Sequence, residues 1–271
     1  MVSMNILTEH RKYASVTSEV EQIVIDSGVE NGLCLVSVPY STMGIAITSF
    51  WDPRGLEDLL DEIDRNFPPK VSYRGQESPN NSSGHIRSAV MGNRVMVPII
   101  DGKLLLGSSQ GIVVLDFDGP RHRHFEVQVV AREVKHEKIN IPTEYMGVHS
   151  ITADIQAAVK KLNITNALCH VSCLHSTAGI ERSDVSDEFK KDHMEIIENM
   201  VPTRADFKHK ETAADAGGHV KTAIFKNQLD LMVIDGVLQL AEGEDICFME
   251  YDGPRPRNVV ISFYSEENTN E

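Results

Sequence analysis

At 271 residues the chain is long enough for two domains of ordinary size, and 41% hydrophobic with 24% charged residues is the makeup of a globular protein. A net charge of −14 argues against nucleic acid and anionic membranes as partners, because phosphate contacts need clustered Lys and Arg. No apolar run approaches the roughly 20 residues that cross a bilayer, and the opening MVSMNILTEHRKY turns polar too soon for a signal peptide. Cys34, Cys169, Cys173 and Cys247 lie in apolar runs without a pairing framework, which points to a reducing compartment; the expected location is the cytoplasm.

In chain order, Val20, Ile23 and Val24 follow Thr17 at helical spacing, so a first helix is expected with Thr17 as its N-cap. A β-rich stretch, Leu33 to Ile45, comes next. Asp52-Pro53 then opens a second helix, with Leu56, Leu59, Leu60 and Ile63 on one face and the acidic run Glu57 to Asp64 as its wet side. A Gly-, Ser- and Asn-rich loop leads into paired strands, and Asp101-Gly102 between apolar residues predicts a two-residue hairpin. A last strand follows Asp118-Gly119-Pro120-Arg121. The polar stretch Glu133 to Thr143 reads as a joint, because everything before it then returns.

Leu33-Cys34-Leu35-Val36-Ser37 recurs as Leu168-Cys169-His170-Val171-Ser172, 135 residues on (168 − 33). Gly84-His85-Ile86-Arg87 recurs as Gly218-His219-Val220-Lys221, and Asp118-Gly119-Pro120-Arg121 as Asp252-Gly253-Pro254-Arg255, both 134 on (218 − 84, 252 − 118). Thr152 and Asp235-Gly236 repeat the helix start and the hairpin. Order and spacing hold across more than a hundred residues, so the chain is two copies of one α+β domain with a largely antiparallel sheet and two helices each, residues 1–134 and 143–271. A doubly wound nucleotide-binding fold fits poorly, since the sequence has neither a glycine fingerprint nor a P-loop.

His175, His209 and His219 mark copy two as the candidate metal-binding half, since neutral imidazoles are common zinc ligands and three protein ligands with one open position suit catalysis. Copy one is an internal control: Tyr40 and Gly75 replace the first two, and His85 alone matches the third. Loss of one shared site accounts for both changes. Arg121 and Arg123, like Arg255 and Arg257, stand two apart on a strand and so share a face, where each pair could fork onto a phosphate or carboxylate. The competing reading is that these arginines pair with the chain's many carboxylates.

The combination of His-Ser-Thr-Ala-Gly-Ile at 175–180, Gly-Gly-His-Val-Lys at 217–221, the Asp-Gly hairpin and the closing Asp-Gly-Pro-Arg-x-Arg resembles the YjbQ family, the secondary thiamine-phosphate synthase family. The resemblance covers 17–132 and 152–263. It implies a β-rich sandwich with flanking helices, threefold assembly, a divalent metal such as zinc on His175, His209 and His219, and synthesis of thiamine phosphate as a side activity. Where the family has an Asn-Glu pair, copy two has Ser183 and Asp184, with Glu181 nearby, and copy one has Thr48 and Ser49. Asp184 and Glu181 are the candidate bases. The family's G-x-x-Q-G segment is kept at 107–111 in copy one, and copy two reads Ala241-Glu242-Gly243-Glu244-Asp245. Such complementary losses imply a composite site with Gln110 presented to the copy-two metal. The functional expectation is a homo-oligomeric metal protein acting on, or binding, a small phosphorylated metabolite. The alternatives are a non-catalytic metal- or metabolite-binding oligomer and an assembly scaffold.

Overall fold

The computed structural model of the protein describes residues 1–8, 12–70, 72–74, 78–184, 186–203, 206–212 and 214–265. Copy one runs β1 (Val2–Thr8), β2 (Lys12–Ser15), α1 (Thr17–Ser27), β3 (Gly32–Ser37), β4 (Met43–Ser49), α2 (Pro53–Asn66), α3 (Pro79–Met91), β5 (Arg94–Ile100), β6 (Lys103–Leu104), β7 (Gln110–Asp116) and β8 (Arg121–Ala131). Copy two repeats the series as β9 (Lys135–Pro142), β10 (Val148–Ser150), α4 (Thr152–Lys161), β11 (Ala167–Cys173), β12 (Ala178–Asp184), α5 (Asp187–Met200), α6 (Asp215–Phe225), β13 (Gln228–Ile234), β14 (Val237–Leu238), β15 (Glu244–Glu250) and β16 (Pro256–Ser265).

Each copy is one α+β domain with a five-stranded and a three-stranded antiparallel sheet: β1-β8-β3-β5-β6 over β2-β7-β4, and β9-β16-β11-β13-β14 over β10-β15-β12. Side-chain alternation decides which way each strand faces. Cys34 and Val36 of β3, like Cys169 and Val171 of β11, turn into separate cores between the sheets. The hairpin signals hold: Asp101 and Gly102, and Asp235 and Gly236, all have positive φ, the conformation a two-residue type I′ turn requires.

Three expectations change. Thr17 and Thr152 are the first residues of their helices rather than caps; their hydroxyls accept from the backbone N–H of Ile112 at 2.9 Å and Ile246 at 2.8 Å, tying helix to sheet. Among the described residues each copy has three helices instead of two, because the Gly- and Ser-rich stretches before the hairpin fold as α3 and α6. Their helix propensity is poor, and packing against β4 and β12 overrides it. Finally, the stretch read as a joint contains β9, which pairs with β16 from Lys135↔Phe263 to Pro142↔Pro256, so it belongs to copy two's sheet.

A third apolar cluster fuses the copies. Leu56, Leu59, Leu60 and Ile63 of α2, with Val113 and Leu115 of β7, pack against Val201, Phe207 and the Ala216, Val220, Ala223 and Ile224 stripe of α6. Helix α6 thus lies between its own β12 and copy one's β4 and α2. Among the described residues no helix is long and apolar enough to cross a membrane.

Candidate metal centre at the copy boundary

The docking of α2 on copy two places its start beside the histidine-bearing loop. Asp58 of α2, buried, accepts from the backbone N–H groups of Lys208 and His209, both at 2.9 Å. Gly55 lies against the His209 ring, where an added Cβ would stand 3.7 Å from the imidazole. Asp52 caps α2 by accepting from Arg54 N–H at 2.9 Å, and its other oxygen lies 2.6 Å from His209 Nδ1. Hydrogen bonds from Arg54 and then His209 hold the Asp52 carboxyl well below its usual range.

With Nδ1–H donated to Asp52, the ring's other nitrogen is Nε2, in a side chain only 3% exposed. That atom has no hydrogen-bond partner, yet Asp215 Oδ2 lies 3.0 Å from it, off the hydrogen-bonding line. Asp215 is itself buried and accepts from Glu211 N–H at 3.1 Å and Thr212 N–H at 3.0 Å, so its oxygens are fixed in place. One ligating atom each from His209, Glu211 and Asp215 lie within 4.8 Å of one another. An imidazole nitrogen and two carboxylates are a mixed set that suits a borderline divalent ion such as zinc or manganese. A neutral Nε2 facing a carboxylate oxygen at this distance is repelled by it, and either a proton on that nitrogen or a bound cation relieves the repulsion.

The histidines come together less fully than the spacing suggested. The His209 and His219 rings are 5.4 Å apart between centroids, but the trio with His175 forms no group of ligating atoms within 4.8 Å. His175 Nε2 accepts from the backbone N–H of Asn258 at 2.8 Å, so its lone pair is already used. Burial pushes His175 down to about 4, helped by the Arg257 charge, and burial with His209 nearby does the same to His219. Both are neutral imidazoles at pH 7. Of the copy-one positions, Tyr40 hydrogen-bonds His124 Nδ1 at 2.6 Å, His85 Nδ1 lies 3.1 Å from Ser41 O, and Gly75 falls outside the described residues.

A cavity of about 430 Å³ opens beside this centre, walled by His175, His219, Asp215, Glu211 and Arg255 of copy two and by Gly107 to Ser109 of copy one. Gln110 reaches the boundary as expected but faces backbone. Its amide donates to Cys173 O at 2.9 Å and His175 O at 3.0 Å, and its oxygen accepts from Gly107 N–H at 2.8 Å. Gly107 allows this approach, since a Cβ there would stand 2.0 Å from Leu174 O.

The arginine pairs divide rather than fork. Arg123 is buried against Asp116 at 2.9 Å and Arg257 against Glu250, each also bonding the threonine of the preceding Ser-Thr turn, Thr42 or Thr177. Arg121 pairs with Asp118 and Arg255 with Asp252. Pairing with carboxylates, the competing reading, accounts for all four, and only Arg255, 46% exposed along its side chain, both lines the cavity and has surface to spare. Glu181 and Asp184 are not in the cavity wall. Glu181 lies under α5, accepting from Tyr251 Oη at 3.3 Å and 3.2 Å from His193 Nε2, and burial pushes it up to about 7. Asp184 is exposed and accepts from Ser186 N–H. Sequence reasoning missed Asp215 and Glu211, although H-x-E-x-x-x-D from His209 to Asp215 was there to find, and saw Asp52 only as a helix cap.

Comparison with known proteins fits both copies to one pattern. The family described as UPF0047 protein YjbQ-like matches residues 3–132 and again 137–266. A UPF0047 protein of Archaeoglobus fulgidus is 35% identical over 116 residues, which is 42% of this chain and 88% of that protein. YugU of Bacillus subtilis is 32% identical over 116 residues, 43% of this chain and 87% of that protein. A solved structure of a YjbQ/UPF0047 protein from Clostridium acetobutylicum aligns with 48% of this chain and 100% of its own, at 34% identity and a TM-score of 0.46. The family model thus matches the two copies one after the other, and the chain belongs to the UPF0047 YjbQ-like family as a tandem duplication of its domain.

Proposed function

We propose that the protein is a divalent-metal protein that acts on a small phosphorylated metabolite in the cavity at the copy boundary. The observation that supports this reading is the buried Nε2 of His209, without a hydrogen-bond partner and within 4.8 Å of carboxylate oxygens of Asp215 and Glu211. A bound ion would supply Lewis acidity toward a phosphoryl or diphosphate oxygen. Arg255 would hold the anion, the Gly107–Ser109 loop would close the wall, and neutral His219 and His175 would hydrogen-bond the organic part. Glu211, the exposed member of the set, would be the ligand most open to exchange with a proton or with substrate. The reaction that the sequence resemblance implies is a thiamine-phosphate-synthase-like transfer, in which the nitrogen of a thiazole phosphate would form a bond to the methylene carbon of a pyrimidine diphosphate as the bond from that carbon to the diphosphate oxygen breaks. The second reading, a non-catalytic metal- or metabolite-binding protein, is favoured by the placement of Glu181 and Asp184 away from the cavity.

Elemental analysis of untagged protein, followed by titration of the chelator-treated chain with zinc and manganese, tests the metal. One equivalent per chain is expected, and His209→Ala and Asp215→Asn should each abolish it with the fold intact by circular dichroism. No stoichiometric binding of either ion by the wild type would end this reading. Turnover of phosphorylated thiamine precursors by the loaded protein then divides enzyme from binder.

A further inference from the structure

We propose that Asp52 of copy one is the positioning residue for the copy-two metal centre: its carboxylate fixes the tautomer and orientation of His209 across the copy boundary. This rests on the metal reading above. A ligating imidazole needs its second nitrogen protonated and held, since otherwise either nitrogen carries the lone pair and the ring turns freely; a carboxylate on that N–H also raises the basicity of the ligating nitrogen. Asp52 Oδ2 lies 2.6 Å from His209 Nδ1, and Arg54 pairs with the same carboxylate oxygen at 2.7 Å. No other donor or acceptor meets that nitrogen among the described hydrogen bonds.

The duplication itself argues that the contact is more than helix capping. The matching N-cap in copy two is Ser186 (52 + 134), whose hydroxyl accepts from Phe189 N–H at 3.4 Å. Serine therefore suffices to start this helix. A carboxylate stands only in the copy whose helix start faces a candidate ligand. Asp58, by contrast, has its counterpart in Asp192, so the residue that holds the loop backbone is common to both copies and the one that holds the ring is not.

The test compares wild type, Asp52→Ser, Asp52→Asn and the control Ser186→Asp, all as full chains. Asp52→Ser keeps a cap but is too short to reach His209; Asp52→Asn keeps an acceptor for Nδ1–H and loses the charge. Zinc affinity, measured by competition with a chromophoric chelator, should fall 10- to 100-fold in Asp52→Ser, the usual effect of removing such a partner, and less in Asp52→Asn. Ser186→Asp should match wild type. The nitrogen-15 resonances of the His209 ring in metal-free protein give a second readout, which a purely structural cap would not move: a pure Nδ1–H form in wild type and a tautomer mixture in Asp52→Ser. Wild-type affinity and an unchanged His209 ring in a folded Asp52→Ser would overturn the proposal. If wild type binds no metal at all, the functional reading fails by itself, and the ring resonances alone decide whether Asp52 holds His209.

Discussion

Gln110 shows what a single side chain does at this boundary. Its counterpart Glu244 repeats one of its bonds, accepting from Ala241 N–H at 2.8 Å as Gln110 accepts from Gly107, but glutamate has no N–H to give. The two donors of Gln110 are used 63 and 65 residues away, on the strand end that carries His175. Gln110→Glu should therefore set a buried carboxylate against two carbonyl oxygens and cost about 2–4 kcal/mol in urea denaturation. Glu244→Gln, at a partly exposed position, should stay within about 0.5 kcal/mol of wild type. This contrast explains which parts of the site could be read in advance. The glutamine was visible because one copy had kept it, while its partners were not, because nothing local in the sequence links 110 to 173 and 175. The same holds for Asp52, whose capping role is local and whose contact with His209 spans 157 residues.

At the level of elements, α2 and α5 began as the same helix and now do different work. Leu59 of α2, Ala46 of β4 and Phe117 lie in the apolar cluster that receives α6. Their counterparts are His193, Glu181 and Tyr251, a hydrogen-bonded polar group with the phenol fully buried (59 + 134, 46 + 135, 117 + 134). Leu59→Ala should cost about 2–5 kcal/mol in chemical denaturation, as for other fully buried leucines, whereas His193→Ala should cost less than about 1 kcal/mol. A small loss at Leu59 would mean that the copies are not held by this cluster. The strands and α2 were legible because period-two and period-3.6 patterns are local properties. Helices α3 and α6 were not, since Pro-Asn-Asn-Ser-Ser-Gly and Asp-Ala-Gly-Gly become helical only when sheets and a second domain are there to pack against.

For the whole molecule, copying did not produce two equal halves. Helix α5 leaves Phe189 44% and Ile196 57% exposed, at the positions matching Gly55, which touches His209, and Glu62, which is buried (189 − 134, 196 − 134). Exposed apolar residues at positions that serve an interface elsewhere in the chain are where further association is expected. Light scattering at micromolar concentration should give a mass above the 30.1 kDa of one chain, and Ile196→Glu should lower it. A monomer in both cases would remove assembly from the account.

The passage from one copy to the next takes only the residues between Ala131, where β8 ends, and Lys135, where β9 begins. Such a short tether gives the two faces of the boundary an effective concentration in the millimolar range or above. Were the same faces on separate molecules, the cavity would exist only to the extent that those molecules met, and dilution would dissolve it. Here its completeness does not depend on how much protein is present. Evolution can then weaken individual contacts across the boundary, or replace a residue on one side without changing its twin on the other, and still retain a formed cavity at the lowest level of expression.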